Sequence, residues 1–588
     1  MAFRDLQQFL DALDRQGELR RIAVEVDPEL EITEIATRVV REEGPALLFE
    51  RVRGSPYPLA INILGSSRRI ELALGREPGA VGQELVNFVE RANPPSLKAL
   101  WDLKGTALRL FRSTRPRNVS RGAGQQVVEA PDLDTLPAIK CWPDDGGRFI
   151  TLPLVLTRSP ANGRSNLGIY RMQIFDKDST GMHWQIQRGG GFHYAEAEEL
   201  NRPLEVAAVL GGDPALLLAG VLPLPEGLEE LIFSGILRGS PTPMVKAKTL
   251  DMRVPANAEF VLEGYVPPLK RASEGPFGDH FGHYSQEASF PVFHVNTVTR
   301  RKNPVYPAAV VGKPPQEDRY LGEAVQEFGA PLLRLVHPEV EDLWAYYQAG
   351  FTNLAVASVK TRYTKEPMKT ALSLLGEGQL SLSKCIVLVG PGVNVKDFGA
   401  VLREIRRNFV ADEDFLLLPR VPFDTLDFTS FKMHLGSKMA LDATPKIDRP
   451  RQERGGINAD PRQLAPEIEE WRLLEDTMLA VRVRHGGRDV VSRLVSAEGL
   501  ADLKLIVAVS GDVDLEDETD LLWGVFTRFD PARDAVFSEM RMVGASPLYR
   551  GPLGIDATFK PGYPAPLAMD PGVVARVDRR WSEYFGGP

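Results

Sequence analysis

Four short stretches place polar side chains where they could do chemistry. The first is Asn166-Leu-Gly-Ile-Tyr-Arg171, two polar groups in an apolar run. A guanidinium can hold a carboxylate through two parallel hydrogen bonds, and an amide can serve as a polar ligand. Five residues is an odd separation, so an unbroken strand sends the two side chains to opposite faces unless a bulge intervenes. A strand-edge Asn and a surface Arg are the plain alternative. The second stretch is Thr180-Gly-Met-His183-Trp184, followed by Gln187-Arg188-Gly189-Gly190-Gly191. Glycines let a backbone approach a phosphate closely, and Arg188 adds charge. A structural histidine and a flexible turn would have the same sequence. In the third, Glu229-Glu230 open a helical run to Leu237, where acids ordinarily answer the helix dipole. The fourth, Glu274-Gly-Pro-Phe-Gly-Asp279-His280, is the sharpest. Gly-Pro and the second Gly force a tight turn that can aim two carboxyls at one pocket. Two nearby acids in apolar surroundings can hold unequal pKa values, one ionised and one a proton donor. A simple polar turn remains the alternative.

The elements that must position these residues differ along the chain. The 588 residues make about three to five domains at ordinary domain size, and 43% are hydrophobic and 25% charged, as in a globular protein. Seventy Lys and Arg against 79 Asp and Glu leave a net charge of −9, which argues against a general nucleic-acid binder. Cys141 and Cys385 sit in apolar contexts and read as two buried free thiols of a reducing compartment. The N-terminus has no apolar signal-peptide core, and no stretch is long and apolar enough for a membrane span, so a cytoplasmic, soluble protein is expected. Residues 3–14 have amphipathic helical spacing, and two βα-like patterns follow, with Ser66 or Ser67 as a helix cap. From about 125 to 310, short β-rich runs at 152–157, 167–175, 243–248, 259–265 and 292–298 suggest a barrel or sandwich, with a helical insert near 195–239. After about 316 the pattern is α/β.

The last third contains an internal repeat. Leu354-Ala355-Val356 recurs as Leu479-Ala480-Val481, and Lys384-x-Ile386-Val387-x-Val389 as Lys504-x-Ile506-Val507-x-Val509. Leu441-Asp442-Ala443-Thr444-x-Lys446 recurs as Ile555-Asp556-Ala557-Thr558-x-Lys560. The expected organisation is an N-terminal α/β domain (1–115), a β-barrel or sandwich (116–315), a C-terminal α/β domain (316–450) and a degenerate copy of it (451–588).

Taken together, Asn166…Arg171, Arg188-Gly189-Gly190, Glu230, Glu274-Gly-Pro-Phe-Gly-Asp279-His280 and Leu435-Gly-Ser-Lys-Met…Asp442-Ala-Thr resemble the UbiD family of prenylated-flavin decarboxylases. Val311-Gly-Lys-Pro-Pro-Gln-Glu-Asp-Arg-Tyr320 and Thr425-Leu-Asp427 resemble it too. The resemblance covers residues 3–446 and implies a split barrel that holds prenylated FMN with Mn²⁺ or Mg²⁺, and K⁺ as a further ion. It implies Asn166, His183 and Glu230 as metal ligands. Ile169, Tyr170, Arg171, His183, Trp184, Arg188 and Gly189 would line the flavin, and Lys384 would reach its phosphate. Arg171, Glu274 and Asp279 would be the catalytic trio, with Asp279 the proton donor and Glu274 the alternative. Hard oxygen ligands beside a phosphate suit Mg²⁺ or Mn²⁺.

The implied reaction is non-oxidative decarboxylation of an aromatic or unsaturated acid, in menaquinone or ubiquinone biosynthesis. A flavin prenyltransferase would supply the cofactor, and the enzyme would be a dimer or hexamer. A reversible aryl carboxylase of aromatic degradation is the close alternative. An ordinary FMN oxidoreductase on a split barrel and a non-catalytic assembly protein are the remote ones.

Overall fold

Asp5 starts the first helix, Leu6–Arg15, by accepting a hydrogen bond from the Gln8 amide, and Leu6, Phe9, Leu10 and Leu13 face inward. The computed structural model describes residues 3–93, 97–185, 189–224, 228–430 and 432–586, with only the backbone given over 97–100. The chain forms two units, Met1–Phe328 with Ala565–Pro588, and Gly329–Pro564.

In the first unit, strands Leu19–Val26 and Ala46–Val52 lie parallel, joined by helix Glu31–Arg41, and Leu59–Ile61 and Tyr306–Pro307 extend the sheet. Ser66 caps the helix Ser67–Leu74, as expected. Beside this stands a ten-stranded antiparallel sheet. Its main path runs Phe149–Ile150, Met172–Asp176, Ser179–Gly181, Ala288–Arg300, Phe260–Val266, Leu204–Leu210, Pro153–Arg158, Ser165–Ile169. Strands Val127–Glu129 and Arg271–Glu274 pair with Ala288–Arg300 off that path. Ser165–Ile169 ends the path and Met172–Asp176 stands second from its other end. Only Tyr170 and Arg171 join these two strands, so the sheet must curl until its ends approach. That is the split barrel, and Arg171 lies at its seam.

Two expectations need correction here. The run 167–175 is two strands, not one, so the alternation that put Asn166 and Arg171 on opposite faces does not apply across the break. The region 195–239 is not a purely helical insert. Leu204–Leu210 is an interior strand of the sheet, between Pro153–Arg158 and Phe260–Val266. Burial on both faces removes the polar alternation that marks a strand, and a short continuous apolar run reads equally well as helix.

The second unit carries two five-stranded sheets with one topology. The first runs Val340–Ala345, Leu354–Val359, Cys385–Val389, Leu435–Ala443, Phe415–Pro422. The second runs Ile468–Leu474, Met478–Val483, Leu505–Val509, Leu553–Ala557, Ala535–Val536. In both, the outer strands are antiparallel and the central ones parallel. The repeated Asp-Ala-Thr-x-Lys motif folds alike in each. Asp442 Oδ1 accepts from the amide and hydroxyl of Thr444, and Asp556 Oδ1 does the same for Thr558. Lys446 and Lys560 donate back to the carbonyls of those residues. One hydrophobic core spans both copies.

The segment from Ala565 onward departs from the expected extra domain, because it belongs to the first unit. Its helix Pro571–Phe585 packs on Glu31–Arg41 and Leu19–Val26, where Arg580 and Tyr584 both reach Glu31, at 2.5 and 2.6 Å. Both cysteines are free and buried.

Candidate active site at the seam of the curled sheet

The break at Tyr170-Arg171 aims the Arg171 guanidinium at the turn that follows strand Arg271–Glu274. Arg171 Nε donates to Glu274 Oε1 at 3.1 Å, Nη1 to Asp279 Oδ2 at 2.5 Å, and Nη2 to Ser285 Oγ at 3.0 Å. The guanidinium also lies 4.6 Å from the centre of the Phe277 ring. The three charged side chains are all buried. Burial alone would push both carboxyls up, but their neighbours outweigh it. Arg171 and His183 hold Glu274 below its usual range, and His280 and Arg171 hold Asp279 well below its own. Both acids are therefore ionised in this state.

His183 stands on the far side of Glu274, with Nδ1 2.8 Å from Oε2. Burial, helped by the Arg171 charge, lowers the imidazole below its usual value despite Glu274, so it is neutral near pH 7. An ionised carboxylate can only accept, so Nδ1 carries the hydrogen and Nε2 keeps its lone pair. That Nε2 is buried without a hydrogen-bond partner, as is Trp184 Nε1.

Around these groups the sequence builds a glycine cradle. Helix Gly189–Glu199 starts against Asn166, and a Cβ on Gly189 would meet Asn166 Oδ1 at 2.0 Å. A Cβ on Gly190 would meet Trp184 Nε1 at 2.6 Å, and the Gly190 amide donates to Tyr170 Oη at 3.2 Å. Glycine here is a requirement of close approach. Glu229 and Glu230 open helix Glu230–Arg238 and grip the strand opposite, accepting from the Ser165 and Leu167 amides at 3.0 and 2.9 Å. Burial pushes the Glu230 carboxyl up to about 7, with the Leu167 amide opposing and Glu229 adding to it. An arriving cation would offset that desolvation.

Asn166, Ile169, Tyr170, Arg171, His183, Trp184, Gly189, Glu230, Glu274 and Asp279 thus all belong to the first unit, on neighbouring strands and helix starts. Arg188 lies outside the described residues. Lys384 belongs to the second unit, where its ammonium is committed to Asp427 Oδ2 at 2.7 Å and the carbonyls of Phe526 and Phe529 at 2.8 and 3.0 Å. Two carbonyl hydrogen bonds and a buried ion pair thus engage the ammonium, which argues against the phosphate contact expected of it. Among the described residues no three His, Cys, Asp or Glu side chains converge as a metal site. The Asn166, His183, Glu230 set contains only two of those types, and it fits a hard divalent cation through its amide, carboxylate and bare imidazole lone pair.

Sequence reasoning missed several residues. Asp145 accepts from the Cys141, Trp142 and Gly278 amides at 3.0, 2.9 and 2.7 Å and so fixes the acid-bearing turn. Its Trp-Pro-Asp-Asp-Gly-Gly context is a turn signal that could have flagged it. Gln173 holds the same turn through the Gly275 amide. Ser285 and Leu567 also join it, without any local motif.

Models of three 3-octaprenyl-4-hydroxybenzoate carboxy-lyase domains match the chain: the N-terminal domain over residues 10–89, the Rift-related domain over 117–314, and the C-terminal domain over 319–443 and 464–557. The last two stretches coincide with the two sheets of the second unit. A Chlamydia pneumoniae protein named as a subunit of 4-hydroxybenzoate decarboxylase is 37% identical over 585 residues, 99% of this chain and 98% of its own. Vanillic acid decarboxylase of Sedimentibacter hydroxybenzoicus in its closed form matches 79% of this chain and 97% of its own, with TM-score 0.68 and 26% identity. An evolved dimeric form of the UbiD-class enzyme HmfF from Pelotomaculum thermopropionicum, in complex with prFMN, matches 77% of this chain and 97% of its own, with TM-score 0.63 and 27% identity. Among the described residues no helix is long and apolar enough to cross a membrane. With all three domain models matched in order along the curled sheet and the repeated α/β sheets, the chain belongs to the UbiD family of carboxy-lyases.

Proposed function

We propose that this protein removes CO₂ from an aromatic acid, using prenylated FMN and a divalent metal held at the seam of the curled sheet. The observation that carries the reading is the Arg171 fork, buried between two carboxylates. Asn166, Glu230 and His183 Nε2 would hold Mn²⁺ or Mg²⁺. Gly189, Tyr170, Ile169 and Trp184 would flank the cofactor, which supplies an electron sink for the pair left when CO₂ departs. K⁺ is a further ion of the same proposal.

The chain's own residues supply the rest. Among the described residues of the site, Arg171 is the cation placed to orient a substrate carboxylate, and an incoming carboxylate competes with Glu274 and Asp279 for it. As the guanidinium turns to substrate, the acids lose one of the partners that keep them ionised, Arg171, while His280 and His183 stay beside them. Burial, which opposes ionisation, then weighs more heavily and raises their pKa values from that state. Asp279 thereby becomes the proton donor to the ring carbon, with Glu274 as the alternative. Phe277 shields the pair from water.

The hydroxybenzoate in the name of the Chlamydia pneumoniae relative and the vanillic acid of the structural neighbour make benzoates the first substrates to try. Dihydroxynaphthoate-type acids come next, as the quinone-pathway reading requires. The same chemistry run backwards is an aryl carboxylase. The test is coexpression with a flavin prenyltransferase, then CO₂ release from a panel of benzoates and naphthoates, and exchange of ¹³CO₂ into the same acids. Glu274→Gln is expected to abolish turnover while flavin absorbance is retained. Full activity in E274Q would refute the acid assignment. No flavin uptake and no exchange with any acid would refute the whole reading. Light scattering of the holoenzyme would distinguish dimer from hexamer.

A further inference from the structure

Each decarboxylation replaces a carboxylate on carbon with a proton, so the acid that protonates carbon must be reloaded before the next turnover. Asp279 is poorly placed to reload itself. Its side chain is 9% exposed, Oδ2 is held by Arg171, and Oδ1 accepts from the His280 backbone amide at 2.7 Å. The His280 imidazole is placed differently. Nδ1 stands 2.5 Å from Asp279 Oδ1, while 25% of the side chain is exposed. On its other side Asp279 meets Arg171, with Glu274 beyond it.

We propose that His280 relays protons from solvent to Asp279. The inference rests on the reading of Asp279 as the acid. Nε2 takes a proton from water, Nδ1 passes one to Asp279 Oδ1, and Asp279 gives one to the substrate carbon as CO₂ leaves. One C–C bond breaks, one C–H bond forms, one proton is consumed, and no oxidant or reductant is needed. An imidazole suits this because it can accept at one nitrogen while releasing at the other.

The test compares holoenzyme of wild type, His280→Gln and Asp279→Asn on whichever panel acid releases CO₂ fastest. Glutamine can still donate a hydrogen bond to Asp279 but cannot pass a proton on. H280Q is expected to lose about tenfold or more in kcat, with KM within about twofold. Its solvent deuterium isotope effect on kcat should rise, and added imidazole should restore rate in a saturable way. A kcat within about twofold of wild type overturns the relay. So does a loss of kcat with an unchanged isotope effect and no response to imidazole, which is what mere structural damage produces. If H280Q fails to retain flavin, His280→Asn decides: a lower kcat with a raised isotope effect supports the relay, and no change in either overturns it. D279N as active as wild type would instead remove the acid itself, whatever H280Q does.

Discussion

Arg171 has to satisfy two carboxylates at once, and that governs what its removal does. In Arg171→Ala, Glu274 and Asp279 remain buried without their shared cation. Leaving buried charge unpaired costs about 3–5 kcal/mol, so the melting temperature should fall by several degrees at pH 7 and turnover should be lost. The pH dependence has a definite sign. Asp279 titrates below its unfolded value of 3.8 because His280 and Arg171 outweigh burial. Its pairing therefore contributes fully above about pH 4 and is lost as pH falls through the depressed folded value. The gap in melting temperature between wild type and R171A should be widest at neutral pH and narrow below pH 4, as the carboxyls of the variant take up protons. A gap that stayed constant from pH 7 to pH 3 would place the stabilising role of Arg171 elsewhere.

The turn that bears Asp279 is held from two sides. Internally, the Asp279 amide donates to the His283 carbonyl and the Ser285 amide to the Phe277 carbonyl, at 3.0 and 2.8 Å. Asp145 grips one flank. On the other, the Leu567 amide donates to the Gly282 carbonyl at 2.9 Å and Pro566 bridges to His283. The buried Leu567 side chain lies so close over Gly278 and Gly312 that a Cβ on either would meet it at 2.9 or 3.5 Å. Leu567→Ala should leave a cavity worth about 2–5 kcal/mol and loosen the turn. Steady-state kinetics should show a lower kcat, restored by Leu567→Met, which refills the space. An unchanged kcat in L567A would mean that the turn holds without its outer strand. This element also marks where sequence reading stops. The helix at Leu6–Arg15, the central strands and the Gly-Pro-Phe-Gly turn carry local periodicity or turn chemistry, and they were legible. The break at Tyr170-Arg171, the doubly buried strand Leu204–Leu210 and the docking of Leu567 depend on partners far away in the chain, which leave no periodic trace.

At the scale of the molecule, the duplicated sheets explain why the chain is longer than its structural neighbours. The residues gathered at the seam lie in the first unit, outside both copies. What does recur is the frame, down to the Asp-Ala-Thr-x-Lys hydrogen bonds. Lys384 tells the copies apart. In the first it is fully buried and reaches across to the Phe526 and Phe529 carbonyls of the second, while its counterpart Lys504 donates to Gln452 at 2.6 Å. The family resemblance assigns Lys384 to the flavin phosphate, whereas its two hydrogen bonds to the second copy and its ion pair with Asp427 make it a lock between the copies. Lys384→Met separates the two roles. Methionine matches the length but strands the Asp427 carboxylate and two carbonyls, a loss of about 3–5 kcal/mol. The copies share one core, so they should unfold together at a lower temperature, in a single calorimetric step. Cofactor content and flavin absorbance of the folded variant should equal those of wild type. A K384M protein that melts like wild type but comes out without flavin would return the lysine to the cofactor.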